Sequence, residues 1–252
     1  MQYKKPQVWA HRGASGWDKQ YAPENTMPAF AKAVTMGADG VELDVQLTKD
    51  GEIVVVHDEA IDRVSDGTGL VKDHTLAELK KLSFSKTHPE YGFIGIPTLK
   101  EFFSFMKTND LAINIELKTS VIRYEGLEEK TAELARKMAM GERILYSSFN
   151  HYSVRKMQVL APESRTGILF ADAFIDVAAY ARQHGFTALH PARHLLDYPG
   201  FIEDCRREGR LLHVWTVDSR IDMQAICQSG VDAFITDCPD NGRKIADGVE
   251  SS

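Results

Sequence analysis

"GVELDVQLTKDGEIVVVHD", Gly40 to Asp58, sets Glu42 and Asp44 before a single turn dipeptide and His57 after it, each among aliphatic residues. In a strand, side chains two apart share a face. Glu42 and Asp44 therefore occupy one side of the first run, and Val41, Leu43 and Val45 the other. Acids packed against apolar helices would bury uncompensated charge. The aliphatic face must meet the helices, which leaves the acids pointing into an interior shared with other strands. Asp50-Gly51 is a dipeptide favoured in two-residue type I′ hairpins. With those two residues as the turn, Lys49 pairs with Glu52 and Asp44 stands opposite His57, on the same face.

Working outward, "AINIELK" (112–118) repeats the device, with Asn114, Glu116 and Lys118 on one side and Ile113, Ile115 and Leu117 on the other. Short apolar runs read as eight strands, at 7–11, 39–45, 111–117, 143–148, 165–170, 187–190, 210–216 and 232–236. Helical patterns fall at 25–36, 98–107, 124–139, 150–160, 173–184, 199–208, 219–228 and 239–247. Alternation of this kind demands parallel pairing through right-handed crossovers. At 252 residues the expected fold is a single-domain (β/α)8 TIM barrel spanning residues 1–252, with an open doubly wound sheet as the alternative. The rhythm breaks once. Residues 58–97 are too long for an ordinary loop and read as a small insertion after the hairpin, folded over one mouth of the barrel.

A net charge of -6 excludes a protein that grips nucleic acid by broad phosphate neutralisation, and makes stable membrane association through charge a poor expectation. There is no 18-residue apolar run and no secretory pattern at the start, and three unpaired-looking cysteines fit a reducing cytoplasm. Nothing in the sequence sets an oligomeric state.

His11 and Arg12 arrive at the end of the first strand, so His11, Arg12, Glu42, Asp44, His57, Glu116 and Lys118 should surround one opening. Three carboxylates in contact repel, and one divalent cation removes the conflict. Oxygen ligands suit Mg2+ or Ca2+, with Mn2+ as an alternative; zinc would more naturally recruit the histidines. That cation, with Arg12 and Lys118, would neutralise the acids and a singly charged phosphodiester. Both histidines stay free for proton transfer, a task for which imidazole titrates in the right range. Glu24 reads either as part of a helix start or as an orienting group for Arg12 or His11, and Asn25 as a helix cap. Asn114 shares the inward face. Trp215, two residues after His213, is a candidate to pack on substrate carbons; Phe149 and His190 also stand at strand ends, and Asp237 reads as a turn or cap.

Taken together, "HRG" (11–13), "PENT" (23–26), "GADGVELDVQLTKDGEIVVVHD" (37–58), "IELK" (115–118), "WTVD" (215–218) and "GVDAFITDCPD" (230–240) resemble the glycerophosphodiester phosphodiesterases of the cytoplasmic bacterial type. The resemblance implies hydrolysis of small glycerophosphodiesters to sn-glycerol 3-phosphate and an alcohol, with a divalent metal. It implies His11 and His57 as the acid/base pair, Glu42, Asp44 and Glu116 as metal ligands, and Arg12 with Lys118 near the phosphate. His11 as base and His57 as acid is the expected order of the first step, an order the residues alone leave open. One alternative is a lysophospholipase D-like enzyme, for which "YGFIGI" (91–96) is the candidate chain lining. Another is a barrel that binds phosphate esters without turning them over.

Overall fold

Val41, Leu43 and Val45 are fully buried against Phe30, Leu99, Phe102 and Phe103, side chains of the helices outside the sheet. This is the division of faces that the acids required. The structure, a computed structural model, describes residues 4–248. The chain runs β1 (Gln7–Ala10), α1 (Met27–Thr35), β2 (Gly40–Leu47), β3 (Ile53–Val55), α2 (Leu76–Leu79), α3 (Leu99–Met106), β4 (Ala112–Leu117) and α4 (Leu127–Lys137). It continues β5 (Ile144–Ser148), α5 (His151–Leu160), β6 (Arg165–Phe170), α6 (Val177–Gln183), β7 (Ala188–Pro191), α7 (Phe201–Arg207), β8 (Leu211–Val214), α8 (Arg220–Ser229), β9 (Ala233–Thr236) and α9 (Pro239–Ala246). The sheet order is β1-β9-β8-β7-β6-β5-β4-β2-β3, and β1 also pairs with β2. Eight parallel strands thus close into a TIM barrel, and β3 hangs antiparallel on the outside of β2.

Local signals set the helix starts. Thr98 caps α3 in a reciprocal box with Glu101, a device worth about 0.5–2 kcal/mol. Phe102 of α3 meets Phe30 of α1 edge to face, ring centres 4.7 Å apart. Each such buried aromatic contributes roughly 1.5–3 kcal/mol of hydrophobic stabilisation.

The hairpin corrects the expected register by one residue. Val45 faces Val55 and Leu47 faces Ile53, so Val56, not His57, takes the place opposite Asp44, donating its N–H to the Asp44 carbonyl at 3.1 Å. The loop holds three residues, Lys49 to Gly51. Gly51 sits at φ +78° and returns its N–H to Thr48 O, the type I turn plus left-handed residue of a bulged hairpin. His57 nevertheless comes back to the acids, because the chain beyond β3 curls around the Gln46 amide. Gln46 Nε2 donates to the carbonyls of Val56, His57 and Asp58 at 3.1, 2.9 and 2.8 Å.

Residues 58–97 gather a small core of their own, with Ile61, Val64, Val71, Leu79, Phe84 and Ile96 buried together. The segment is tied to the loop after β1. His88 Nε2 lies 3.1 Å from the Gly16 carbonyl, and the Tyr91 hydroxyl donates to Tyr21 O at 2.9 Å.

Candidate active site

At the C-terminal end of β1, His11 and Arg12 leave the sheet in a tight turn. Arg12 adopts φ +54° and Gly13 φ +82°. A β-carbon on Gly13 would lie 2.7 Å from the Ala29 backbone, so the turn admits only glycine there. Left-handed arginine costs on the order of 1 kcal/mol or more. Its N–H donates to Glu42 Oε2 at 2.9 Å and its carbonyl accepts from the Asn25 N–H, contacts that hold the turn in place.

Glu42, Asp44 and Glu116 are all buried and offer oxygen atoms within 4.8 Å of one another. Asp44 Oδ2 accepts from Asn25 Nδ2 at 2.9 Å, while Asp44 Oδ1 is buried with no hydrogen-bond partner among the described residues. An orphaned carboxylate oxygen costs several kcal/mol unless something charged meets it. Burial pushes Glu42 and Glu116 up from the usual carboxylate range; the neighbouring Asp44 charge adds to both, against the opposing pull of Arg12 on Glu42 and Lys118 on Glu116. Burial also resists ionisation of Asp44, but His57, Lys118 and Arg12 together overcome it and hold that group at about 2. Burial and mutual repulsion thus both oppose full ionisation of the cluster. Oxygen donors at this spacing suit a hard divalent cation, and the cluster could bind one.

Lys118 Nζ reaches Glu116 Oε1 at 3.1 Å and His57 Nε2 at 3.1 Å. An ammonium only donates, so His57 Nε2 presents its lone pair and the ring proton sits on Nδ1, 2.6 Å from Asp58 Oδ1. His11 has the same arrangement, Nδ1 lying 2.7 Å from Asp237 Oδ1. Each ring is oriented by an aspartate, with its Nε2 turned away from that partner. Arg63 links the two sides of the mouth, contacting Asp58 at 2.6 Å and Glu24 at 2.7 Å, and Glu24 in turn binds Arg12 at 2.8 Å. His11, Arg12, His57, Glu24, Asp58 and Arg63 line a cavity of about 350 Å³, with Thr87 and His88 of the insertion on its far wall.

The structure therefore brings His11, Arg12, Glu42, Asp44, His57, Glu116 and Lys118 together. Trp215 does not line that cavity; its indole donates to the His190 carbonyl at 2.7 Å and meets Phe149 edge to face at 5.5 Å. Glu24 does orient Arg12, whereas Asn25 caps no helix and instead bonds Asp44. Asp237, read as a turn or cap, is the partner of His11. The roles of Asp58, Arg63 and Gln46 had no signal beyond adjacency to His57 or to the acids.

A sequence model described as "Glycerophosphoryl diester phosphodiesterase family" matches residues 11–241. The chain belongs to this family. It is 42% identical over 237 residues, 94% of this chain and 96% of the other, to a glycerophosphodiester phosphodiesterase of Caldanaerobacter subterraneus subsp. tengcongensis. A protein of the same description from Bacillus altitudinis is 37% identical over 94% of this chain and 97% of its own length. Among solved structures, an Oleispira antarctica phosphodiesterase in complex with the product sn-glycerol-3-phosphate superposes with a TM-score of 0.85 at 30% identity, covering 96% of this chain and 97% of that one. Like those enzymes, the family member described here is a phosphodiesterase by class. No helix among the described residues is long and apolar enough to cross a membrane.

Proposed function

We propose that this chain hydrolyses glycerophosphodiesters to sn-glycerol 3-phosphate and an alcohol. His11 and His57 would exchange protons, Arg12 and Lys118 would hold the phosphoryl group, and Glu42, Asp44 and Glu116 would hold one divalent cation, Mg2+ or Ca2+. The observation that carries this reading is the pair of aspartate-backed imidazoles beside one mouth, with three buried carboxylates and two fixed cations among them. The product bound in the Oleispira relative supports the substrate class.

With Nδ1–H held by its aspartate, either ring in its neutral form can take the proton from the attacking hydroxyl at Nε2. The other must acquire a proton from solvent before it can donate to the departing alkoxide. Asp58 and Asp237 keep each ring in one tautomer and stabilise it when charged, the division of labour of an orienting carboxylate. Arg12 and Lys118 oppose the negative charge that builds on the phosphoryl oxygens. A cation bound by the three acids would add Lewis-acid polarisation of the same oxygens. His11 as base and His57 as acid remains our order for the first step. If the glycerol C2 hydroxyl is the nucleophile, a 1,2-cyclic phosphate appears transiently; direct attack by water incorporates solvent oxygen without that species.

The insertion at 58–97 would set access, since Thr87 and His88 wall the cavity. The three cysteines are unpaired, which supports a reducing compartment such as the cytoplasm. The deciding experiment is an enzyme-coupled assay for glycerol 3-phosphate release from glycerophosphocholine, with and without chelator and with add-back of Mg2+, Ca2+ or Mn2+. Ligand binding without release under every metal condition would leave a non-catalytic phosphate-ester barrel.

A further inference from the structure

The insertion sends one charged side chain across the mouth. Its backbone makes a single turn of 3-10 helix at Ile61–Arg63. Ile61 is fully buried in the insertion's own core; its N–H donates to the Gly69 carbonyl at 2.9 Å, and its carbonyl accepts the Ser65 N–H at 2.9 Å and the Ser65 hydroxyl at 2.8 Å. A 3-10 helix rotates by about 120° per residue. Arg63, two residues on, therefore points away from that core, and it lines the cavity beside His11 and His57. The run "YGFIGI" secures the insertion rather than lining that cavity: Ile96 enters the insertion's core and the Tyr91 hydroxyl is bonded to Tyr21 O.

The Arg63 guanidinium is engaged on two edges. Nη1 and Nη2 donate to Glu24 Oε2 and Oε1, each at 2.7 Å, while Nε and Nη2 donate to Asp58 Oδ2 and Oδ1 at 2.6 and 3.2 Å. Both acids already hold another residue of the site. Glu24 Oε1 also accepts from Arg12 Nη1 at 2.8 Å, and Asp58 Oδ1 lies 2.6 Å from His57 Nδ1. A planar fork can satisfy two carboxylates in fixed directions, which the point charge of an ammonium cannot. Charge gives a second reason. Glu24, Asp58, Arg12 and Arg63 balance; without Arg63 the set is net negative where an anionic diester must enter, and Glu24 competes with phosphate for Arg12. The Arg63 side chain is 40% exposed, and ion pairs open to solvent add little to folding stability. Its effect falls instead on the geometry and field of the mouth. We propose that Arg63 is a positioning residue for the reaction, fixing the His57 ring through Asp58 and the Arg12 guanidinium through Glu24. The proposal rests on the hydrolase reading above.

The test compares Arg63→Ala, Arg63→Lys, Asp58→Asn and Glu24→Gln in glycerol 3-phosphate release from glycerophosphocholine, with Tm measured for each variant. Asp58→Asn should act mainly on kcat and Glu24→Gln mainly on KM. Arg63→Ala should do both, lowering kcat/KM about 10- to 100-fold, the range for groups that orient a reacting side chain, with Tm little changed. Guanidinium chloride at low concentration should restore part of the turnover of Arg63→Ala, and sodium chloride at the same concentration should not. Arg63→Lys keeps the charge without the fork, so KM should recover more than kcat. In double variants, Arg63→Ala should cost less in kcat beside Asp58→Asn and less in KM beside Glu24→Gln. Parent kinetics in Arg63→Ala, or effects that multiply independently in both double variants, overturn the assignment while the diesterase reading stands. A fall in Tm that tracks the fall in activity, with no rescue by guanidinium, does the same, because it marks a merely structural role. Should Arg63→Ala fail to fold, parent values of both kcat and KM in Arg63→Lys overturn the proposal, and a lowered kcat supports it. Absence of turnover by the parent on every diester would bring down the hydrolase reading and this inference with it.

Discussion

Two histidine pairs share one barrel interior, and their neighbours give them opposite characters. His11 and His57 each keep one nitrogen on an aspartate and turn the other away from it, at a partly open mouth. His190 and His213, on β7 and β8, are buried and bond to each other, with His213 Nδ1 3.1 Å from His190 Nε2 and the Trp9 ring 4.7 Å from that of His213. No carboxylate meets this second pair among the described residues. Burial, helped by the charge of Arg165, pushes His213 down to about 3; burial, helped by His213, holds His190 well below the usual imidazole range. An imidazole deep in a core stays neutral and structural. A carboxylate at its back and a place on an open cavity are what would fit one to carry protons.

The largest expected effect would break this contrast outright. His11→Gln and His57→Gln should each lower kcat/KM about 10²- to 10⁴-fold, roughly 3 to 5.5 kcal/mol of barrier, whereas His213→Gln should stay within an order of magnitude of the parent. Equal losses in all three, measured on glycerophosphocholine, would erase the distinction between the pairs. The next effect concerns the charge between the two aspartate-backed rings. A divalent cation at 100 times its dissociation constant should stabilise the fold by about 2.7 kcal/mol, read as a rise in Tm that vanishes in Asp44→Asn. The third sharpens the role of the backing carboxylates. Asp58→Asn and Asp237→Asn should each cost about 10- to 100-fold in turnover, with little change in Tm; an unchanged rate would show that ring orientation comes from packing alone.

The smallest effect belongs to the buried pair. A histidine whose folded pKa is depressed binds fewer protons folded than unfolded at acid pH. Its stabilising contribution is full above about pH 6.5, the unfolded value. It declines as pH falls from there toward the folded value, about 3 for His213, at up to about 1.4 kcal/mol per pH unit. Denaturant melts between pH 7 and 5 should therefore be steeper in pH for the parent than for His213→Gln. Parallel curves would mean that the buried pair contributes nothing to acid sensitivity.

Much of this was legible because strand periodicity leaves few choices. Acids alternating with aliphatic residues at 41–45 and 113–117 could face only one way, and the structure places them so. The hairpin register was not legible. Asp50-Gly51 serves both two- and three-residue loops, and the carboxylate that anchors the longer form accepts the Leu76 N–H, 26 residues onward. Asp237 looked like a cap because its true partner lies 226 positions away, across the closure of the sheet.

The bond from His11 to Asp237 joins the first strand of the barrel to the segment after the last. A chain emerging from the ribosome would hold its first imidazole from the outset, yet lack that ring's anchor until the ninth strand had docked. Turnover would then begin only once the circle was complete, making catalysis itself a gauge of finished folding.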